Sequence, residues 1–335
     1  MLRTIKFVMY RKGLLVIIGL CICLVLILAF VFGLYSARDL KRIVSEQFNR
    51  QQLILARQAA RGIEYSLNYA IQELVSIRYI TQHGMPISSV FLEGIYERVR
   101  RRGVNSIAIV DTHGKSLVSA GEGLLEDFSF IFERKRVANP LLQFLSLKEK
   151  QLLVLACPLD VDRVAIFLVD IHQLVRDHVA KIRSGNTGYA WAIDQRGHFI
   201  FHPIKKFIGK NAFEVRHYDA PYFSFKEINI LQKKMVNGEE STGKYVSLWH
   251  GETKGHFNKL VAYTPAHLPY TSAIWSVAVC APEQEVNAVI HKAYLRHFFL
   301  QGTVIFALIL VGLFLLISER RFSQLLREEV ARKTE

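Results

Sequence analysis

The sequence predicts a mixed α+β chain: two antiparallel-sheet modules carried on a long N-terminal helix and flanked by two membrane-spanning helices. Three observations predict it. Two long apolar runs bracket the chain, a breaker-free helical seam follows the first run, and one strand–turn–strand pattern occurs twice between them.

The runs are Gly13–Ala37, 25 residues without a charge, and Phe298–Ser318, another 21. A spanning helix needs about 20 apolar residues. The first run is longer than the apolar region of a cleaved signal peptide, about 7–15 residues. With 51% hydrophobic residues in 335 the chain is too apolar for disorder, and the two spans exclude a soluble cytosolic enzyme or a DNA-binding protein. The net charge of +14 is therefore not read as nucleic-acid affinity. Arg3, Lys6, Arg11 and Lys12 precede the first span. Arg320, Arg321, Arg327, Arg332 and Lys333 follow the second. The positive-inside rule thus predicts both termini in the cytoplasm and residues 38–296 outside it.

From Ser36 to Tyr79 there is no proline and only Gly62. Leu53, Ala56, Ala60, Ile63, Leu67, Ala70, Leu74 and Ile77 alternate spacings of 3 and 4, a heptad-like seam. It packs either on its own domain or on a second copy. The stretch Thr81–Pro86, with Gly84, ends the helix.

Next comes an internal echo. Asn105–Val118 reads strand, Asp-x-x-Gly turn, strand, and Tyr189–Phe201 reads the same, with Asp194 and Gly197 each 83 residues after Asp111 and Gly114. Asp at the strand end accepts the turn's N–H groups and Gly supplies positive φ. Leu152–Pro158 and Trp275–Pro282 close the two units, followed by helix-like Ile171–Ile182 and Glu283–His297. Cys157 and Cys280 occupy comparable strands in different units, which predicts two buried, separate thiols. Strands Gly243–His250 and Phe257–Thr264 flank the hairpin loop Gly251–Gly255.

Candidate chemistry concentrates in the second unit. Tyr189, Trp191 and Ile193 share one strand face, and aromatic walls with a few polar groups suit a small molecule. Lys259 and Tyr263 share a face of their own strand and offer a cation and a hydroxyl to a carboxylate, although solvation is the usual fate of a strand lysine. His202 lies beside the second hairpin. His198 and His202 are spaced as metal ligands would be, but the hairpin explains both, so no metal is expected. The arginines at 98 and 100–102 read as a solvated helix face. No nucleophile elbow, phosphate loop or zinc motif occurs, so neither catalysis nor a cofactor is expected of this chain.

Gly188-Tyr-Ala-Trp-Ala-Ile-Asp-x-x-Gly with Phe201-His-Pro203, then Lys259–Pro265, Trp275-Ser-Val-Ala-Val and Pro282-x-x-Glu-Val, resemble the double Cache family of extracytoplasmic sensor domains. Those domains consist of two PAS-like modules. The tail Leu325–Glu335 resembles the coiled coil that leads into the dimerisation helices of sensor histidine kinases. The resemblance spans residues 36 to 297. It implies a two-pass receptor of a bacterial inner membrane that binds a small, possibly anionic ligand and acts as a homodimer through the stalk helix on a cytoplasmic signalling domain. Members that bind amino acids carry an Arg-x-Trp-aromatic element, but Phe128–Arg136 here has no Trp, so the resemblance does not extend to that mode. The expected divisions are 1–12 cytoplasmic, 13–37 first span, 38–82 stalk helix, 83–170 membrane-distal module, 171–297 membrane-proximal module, 298–318 second span and 319–335 the start of the signalling coiled coil. The 17 residues after the second span hold no output domain. The chain reads either as the sensory part of a receptor or as a whole membrane-anchored interaction partner of one.

Overall fold

A computed structural model of the protein describes residues 2–122, 128, 140–147 and 150–334. It falls into two units: Gln47–Glu285, and the terminal segments Met1–Glu46 with Val286–Glu335. Of the stretch Phe128–Arg136 discussed above, only Phe128 lies within the described residues.

Helix α1 spans Leu2–Gln82. It stops where Gly84 takes φ +76° and the Met85 N–H reaches back to the Ile80 carbonyl, a Schellman-type end with Pro86 just beyond. The predicted seam is buried from Ala56 to Ile77, and Leu53 is half-buried. Its residues join one apolar cluster with side chains from both sheets, so this face is occupied by the protein's own domain. Gly62 marks the tightest approach. A Cβ there would stand 2.5 Å from His178 Nδ1, and His178 Nε2 meets Ser66 Oγ at 2.9 Å.

Helix α2 (Ser89–Val99) starts at Ser88, whose hydroxyl accepts the Phe91 N–H. The first sheet follows: β1 (Val104–Asp111), β2 (Ser116–Gly121), β3 (Leu141–Leu147), β4 (Lys150–Pro158) and β5 (Arg163–Asp170). All its pairs are antiparallel and its order is β2-β1-β5-β4-β3. Asp170 then caps helix α3 (Ile171–Val179) by accepting the Gln173 N–H.

The second sheet comprises β6 (Arg183–Ser184), β7 (Gly188–Asp194), β8 (Phe199–Phe201), β9 (Ser241–His250), β10 (Thr253–His267) and β11 (Ile274–Pro282), with helices α4 (Val215–Asp219) and α5 (Lys226–Val236) inserted before β9. Apart from β6, its order β8-β7-β11-β10-β9 repeats the first sheet strand for strand. The echo in the sequence is thus a repeat of topology. Its hairpins match in detail. Asp111 Oδ1 accepts the N–H groups of His113 and Lys115 while Asp194 Oδ1 accepts those of Arg196 and His198, and Gly114 and Gly197 sit at φ +82° and +81°.

The β9–β10 turn is tighter than predicted, with Thr253 already pairing His250 and Gly251 at φ +56°. Cys157 in β4 and Cys280 in β11 are buried free thiols in different sheets, as expected. The basic run is less solvated than predicted. Arg98 grips Glu73 through two bonds of 3.1 and 2.9 Å, and the Arg102 guanidinium lies over the rings of Tyr65 and Tyr69.

The terminal unit contains the first part of α1 and most of helix α6 (Glu283–Thr334), each carrying a stretch long and apolar enough to cross a membrane. Phe30, Phe32, Phe298 and Phe299 are all more than half exposed, as lipid-facing side chains would be. Within this unit Gln301 Nε2 donates to the Ala29 carbonyl at 3.1 Å, next to Gly33, where a Cβ would stand 2.8 Å from the same amide. A polar side chain that bridges two apolar helices beside a small residue is a common form of membrane helix contact.

Candidate functional site

The two sheets present contrasting faces away from the shared core. On the first, the described residues are all apolar: Ala108, Val110, Phe128, Val154, Ala156, Val164, Ile166 and Leu168. On the second, the same face carries aromatic rings and charge, and α4 and α5 contribute to its cover.

Strand register explains the polar group. In β7 Tyr189 lies opposite Cys280 of β11, and in β10 Lys259 lies opposite Tyr245 of β9. Alternation keeps Tyr189, Lys259, Tyr245 and Cys280 on one face. Lys259 Nζ donates to the Tyr189 hydroxyl at 2.8 Å, 4.8 Å from the Tyr189 ring centre and 5.9 Å from that of Tyr245. Lysine at this point of an alternating strand is in phase with Phe257, Val261 and Tyr263. It is therefore 1% exposed, which corrects the expectation of a solvated side chain. Burial pulls its pKa down from 10.5 to about 8, and Arg216 adds to the depression against an opposing effect of Cys280.

Arg216 is the second cation, projected by α4 and 6% exposed. Its Nη1 donates to the Ala212 carbonyl at 2.7 Å and its guanidinium lies 5.2 Å from the Phe199 ring centre. Among the described residues no carboxylate comes within ion-pairing distance of Lys259 or Arg216. Between them stands His202, whose Nδ1 accepts the Ile204 N–H at 3.0 Å. Burial, then Arg216 and Lys259, push its pKa well below the usual imidazole range, so the ring is neutral. The phenols of Tyr189 and Tyr245 are pushed well above 10, first by burial, so both remain hydroxyls.

The sequence-predicted residues separate into two groups. Tyr189, His202 and Lys259 come together, the first two as an edge-to-face ring pair at 5.9 Å. Trp191 and Tyr263 lie on the same face but further along it. Trp191 packs edge-on against Phe199 at 5.7 Å, and Tyr263, four residues beyond Lys259, lies about 13 Å along the strand at about 3.3 Å per residue. Sequence reasoning missed Arg216, Tyr245 and Trp249. The last two alternate with Ser247 on β9, a period-2 pattern that could have revealed them; a lone arginine in a five-residue helix gives no such signal. The two histidines considered as metal ligands have other partners. His198 Nδ1 approaches Asp194 at 3.5 Å and His202 is bound to backbone, and no group of three metal-type side chains occurs among the described residues.

One further arrangement touches this site. Glu285, in the first turn of α6, accepts the N–H groups of Asn186 and Thr187 at 2.6 and 2.8 Å and also the Thr187 hydroxyl. His250 Nε2 meets that hydroxyl at 2.8 Å, and its ring packs 5.3 Å from that of Tyr189. Gly185 makes the cradle possible, with φ +64° and no room for a Cβ beside the Glu285 carboxylate. Glu285→Ala strands two backbone donors and should lower stability by about 2 kcal/mol, measured by thermal melting of the full chain. An unchanged melt would show that the cradle is not formed.

The Cache domain family model matches residues 36–290. No curated protein matches the chain. Among solved structures, it resembles the extracellular domain named as that of histidine kinase mmHK1S-Z3, at 13% identity and TM-score 0.51, covering 75% of this chain and 98% of that one. It also resembles an extracellular ligand binding receptor from Desulfohalobium retbaense (18% identity, TM-score 0.48, 69% of this chain), of which it spans only 40%. A third is the periplasmic sensory domain of a Campylobacter jejuni chemoreceptor (12% identity, TM-score 0.47, 72% of this chain and 98% of that one). Such identities speak for fold alone, but the family match covers most of the sequence. The chain belongs to the Cache domain family.

Proposed function

We propose that the chain is the sensory region of a two-pass receptor in a bacterial inner membrane, and that its membrane-proximal module, residues 171–297, binds a small anionic ligand. One observation carries this reading. Two cations, Lys259 and Arg216, are buried on one sheet face without a carboxylate partner among the described residues. A buried charge without a counterion is strongly destabilising, and a bound anion removes that cost. Tyr189, His202 and Tyr245 supply hydroxyls and a neutral imidazole, while Trp191 and Tyr263 extend the aromatic wall. Lys259 is closed off from solvent, so the ligand enters when the cover moves, and bound and free forms differ at that cover. The Glu285 cradle links the same face to the first turn of α6, which supports transmission along that helix to a cytoplasmic output such as a histidine kinase.

The test is the melting temperature of the full chain in detergent against a panel of small anions, since a ligand at 100 times its Kd adds about 2.7 kcal/mol. Lys259→Ala should weaken the anion found by about 1.5–3 kcal/mol, roughly 10- to 150-fold. Equal affinities would move the site to the first module.

The homodimer is proposed on the opposite face of α1 from the buried seam. Ile54, Tyr65, Val75 and Tyr79 are exposed there, an apolar row suited to a second copy.

Residues 38–296 are proposed to be extracytoplasmic. A membrane-impermeant thiol reagent applied to intact cells should label Glu252→Cys at the β9–β10 turn. It should leave Lys6→Cys and Arg327→Cys unlabelled, and the reverse pattern contradicts the orientation.

A further inference from the structure

We infer that the anion taken by the second module is a small dicarboxylate without an ammonium group, held jointly by Arg216 and Lys259; the inference rests on the reading of this face as a ligand site. Charge balance is the first ground. The two cations are near enough to disfavour one another's charge and that of His202 between them. In a low-dielectric enclosure two positive charges call for two negative ones, and a monocarboxylate leaves one unmatched.

The second ground is the donor inventory. An amino acid brings an ammonium, which needs acceptors and is repelled by neighbouring cations. The groups facing the cations are the hydroxyls of Tyr189 and Tyr245, the neutral His202 and the Cys280 thiol, and no carboxylate stands among them in the described residues.

The third ground is geometry. The Arg216 bond to Ala212 engages one guanidinium N–H and fixes the plane of the group, leaving other N–H donors for a two-oxygen acceptor. Lys259 provides a point charge backed by two phenol rings, with its own bond to Tyr189. The rings of Phe199, Phe207 and Trp249 line the same face with apolar surface that suits a carbon chain, which sulfate and phosphate lack.

The experiment is calorimetric titration of the full chain in detergent at pH 7 with succinate, butyrate, aspartate and sulfate. Succinate differs from butyrate by one charge, from aspartate by one ammonium, and from sulfate by its carbon chain. Succinate is expected to bind at least tenfold more tightly than each of the others, and Arg216→Gln to bring succinate and butyrate to the same affinity. The comparison on the unaltered chain decides the matter if that variant does not fold. Aspartate equal to or tighter than succinate overturns the inference, because a carboxylate would then have to meet the ammonium. Butyrate equal to succinate overturns it by removing Arg216 from the site, and sulfate equal to succinate by reducing recognition to charge. If none of the four binds but another anion stabilises the chain in a Lys259-dependent way, the dicarboxylate assignment falls and the anion site stands; if no anion does so, both fall.

Discussion

Lys259→Met should make the ligand-free protein more stable at pH 7, and the advantage should vanish as the pH rises. The lysine pKa is about 8 in the folded chain against 10.5 as its ordinary value. The folded state therefore binds fewer protons than the unfolded state between those values, and stability rises with pH across that window. Below about pH 8 the full penalty of the buried ammonium applies, about 3 kcal/mol at 1.36 kcal/mol per pKa unit. Removing the lysine also leaves the Tyr189 hydroxyl without its donor, at about 1 kcal/mol. The net gain of about 2 kcal/mol corresponds to about 4–8 °C in melting temperature for a domain of this size. The neighbouring groups do not confuse the test: the phenols of Tyr189 and Tyr245 titrate well above 10 and His202 stays neutral. Melts at pH 7 and pH 10 of both proteins measure the effect. Parallel pH dependence in the two would show that Lys259 is solvated. Such a gain in stability paired with loss of ligand binding is the usual trade at a functional site.

Leu67→Glu should prevent folding, whereas Tyr65→Glu, two residues away, should leave stability almost unchanged. Leu67 is 1% exposed within the cluster that joins α1 to both sheets, and Tyr65 is 59% exposed on the other face. Leu67→Ala alone would cost about 2–5 kcal/mol by cavity formation. The glutamate adds an unpaired charge in an apolar core, so the loss exceeds 4 kcal/mol and no folded chain accumulates. If the exposed row contacts a second copy, Tyr65→Glu weakens association in a sedimentation experiment while the melt stays put. Equal melts for the two variants would mean that the helix faces are misassigned.

The features legible in the sequence are those enforced by a repeated period or a backbone constraint. The seam from Ala56 to Ile77 follows helical spacing over six turns. The hairpins at Asp111 and Asp194 need a side-chain acceptor and a glycine at fixed positions. Cys157 and Cys280 could be separated because each follows its own hairpin by a comparable distance. What escaped were elements too short to carry a period. Strand β6 has two residues, β8 three and α4 five, and α4 delivers the second cation of the site. Lys259 escaped for another reason. Its place among Phe257, Val261 and Tyr263 indicates the buried face, but the lysine side chain argues for water, and tertiary packing decided for burial. Arg98 escaped likewise, because its partner Glu73 lies 25 residues away and no local pattern pairs them.

The most direct measurement of the anion site is a crystal structure of the full chain grown in bromide, with the halide located by its anomalous scattering. A bromide peak within hydrogen-bonding reach of Lys259 Nζ or the Arg216 guanidinium, absent in Lys259→Met crystals, is the predicted result. A map with no halide there, and with either cation paired to a carboxylate of the protein, would contradict a ligand site on this face.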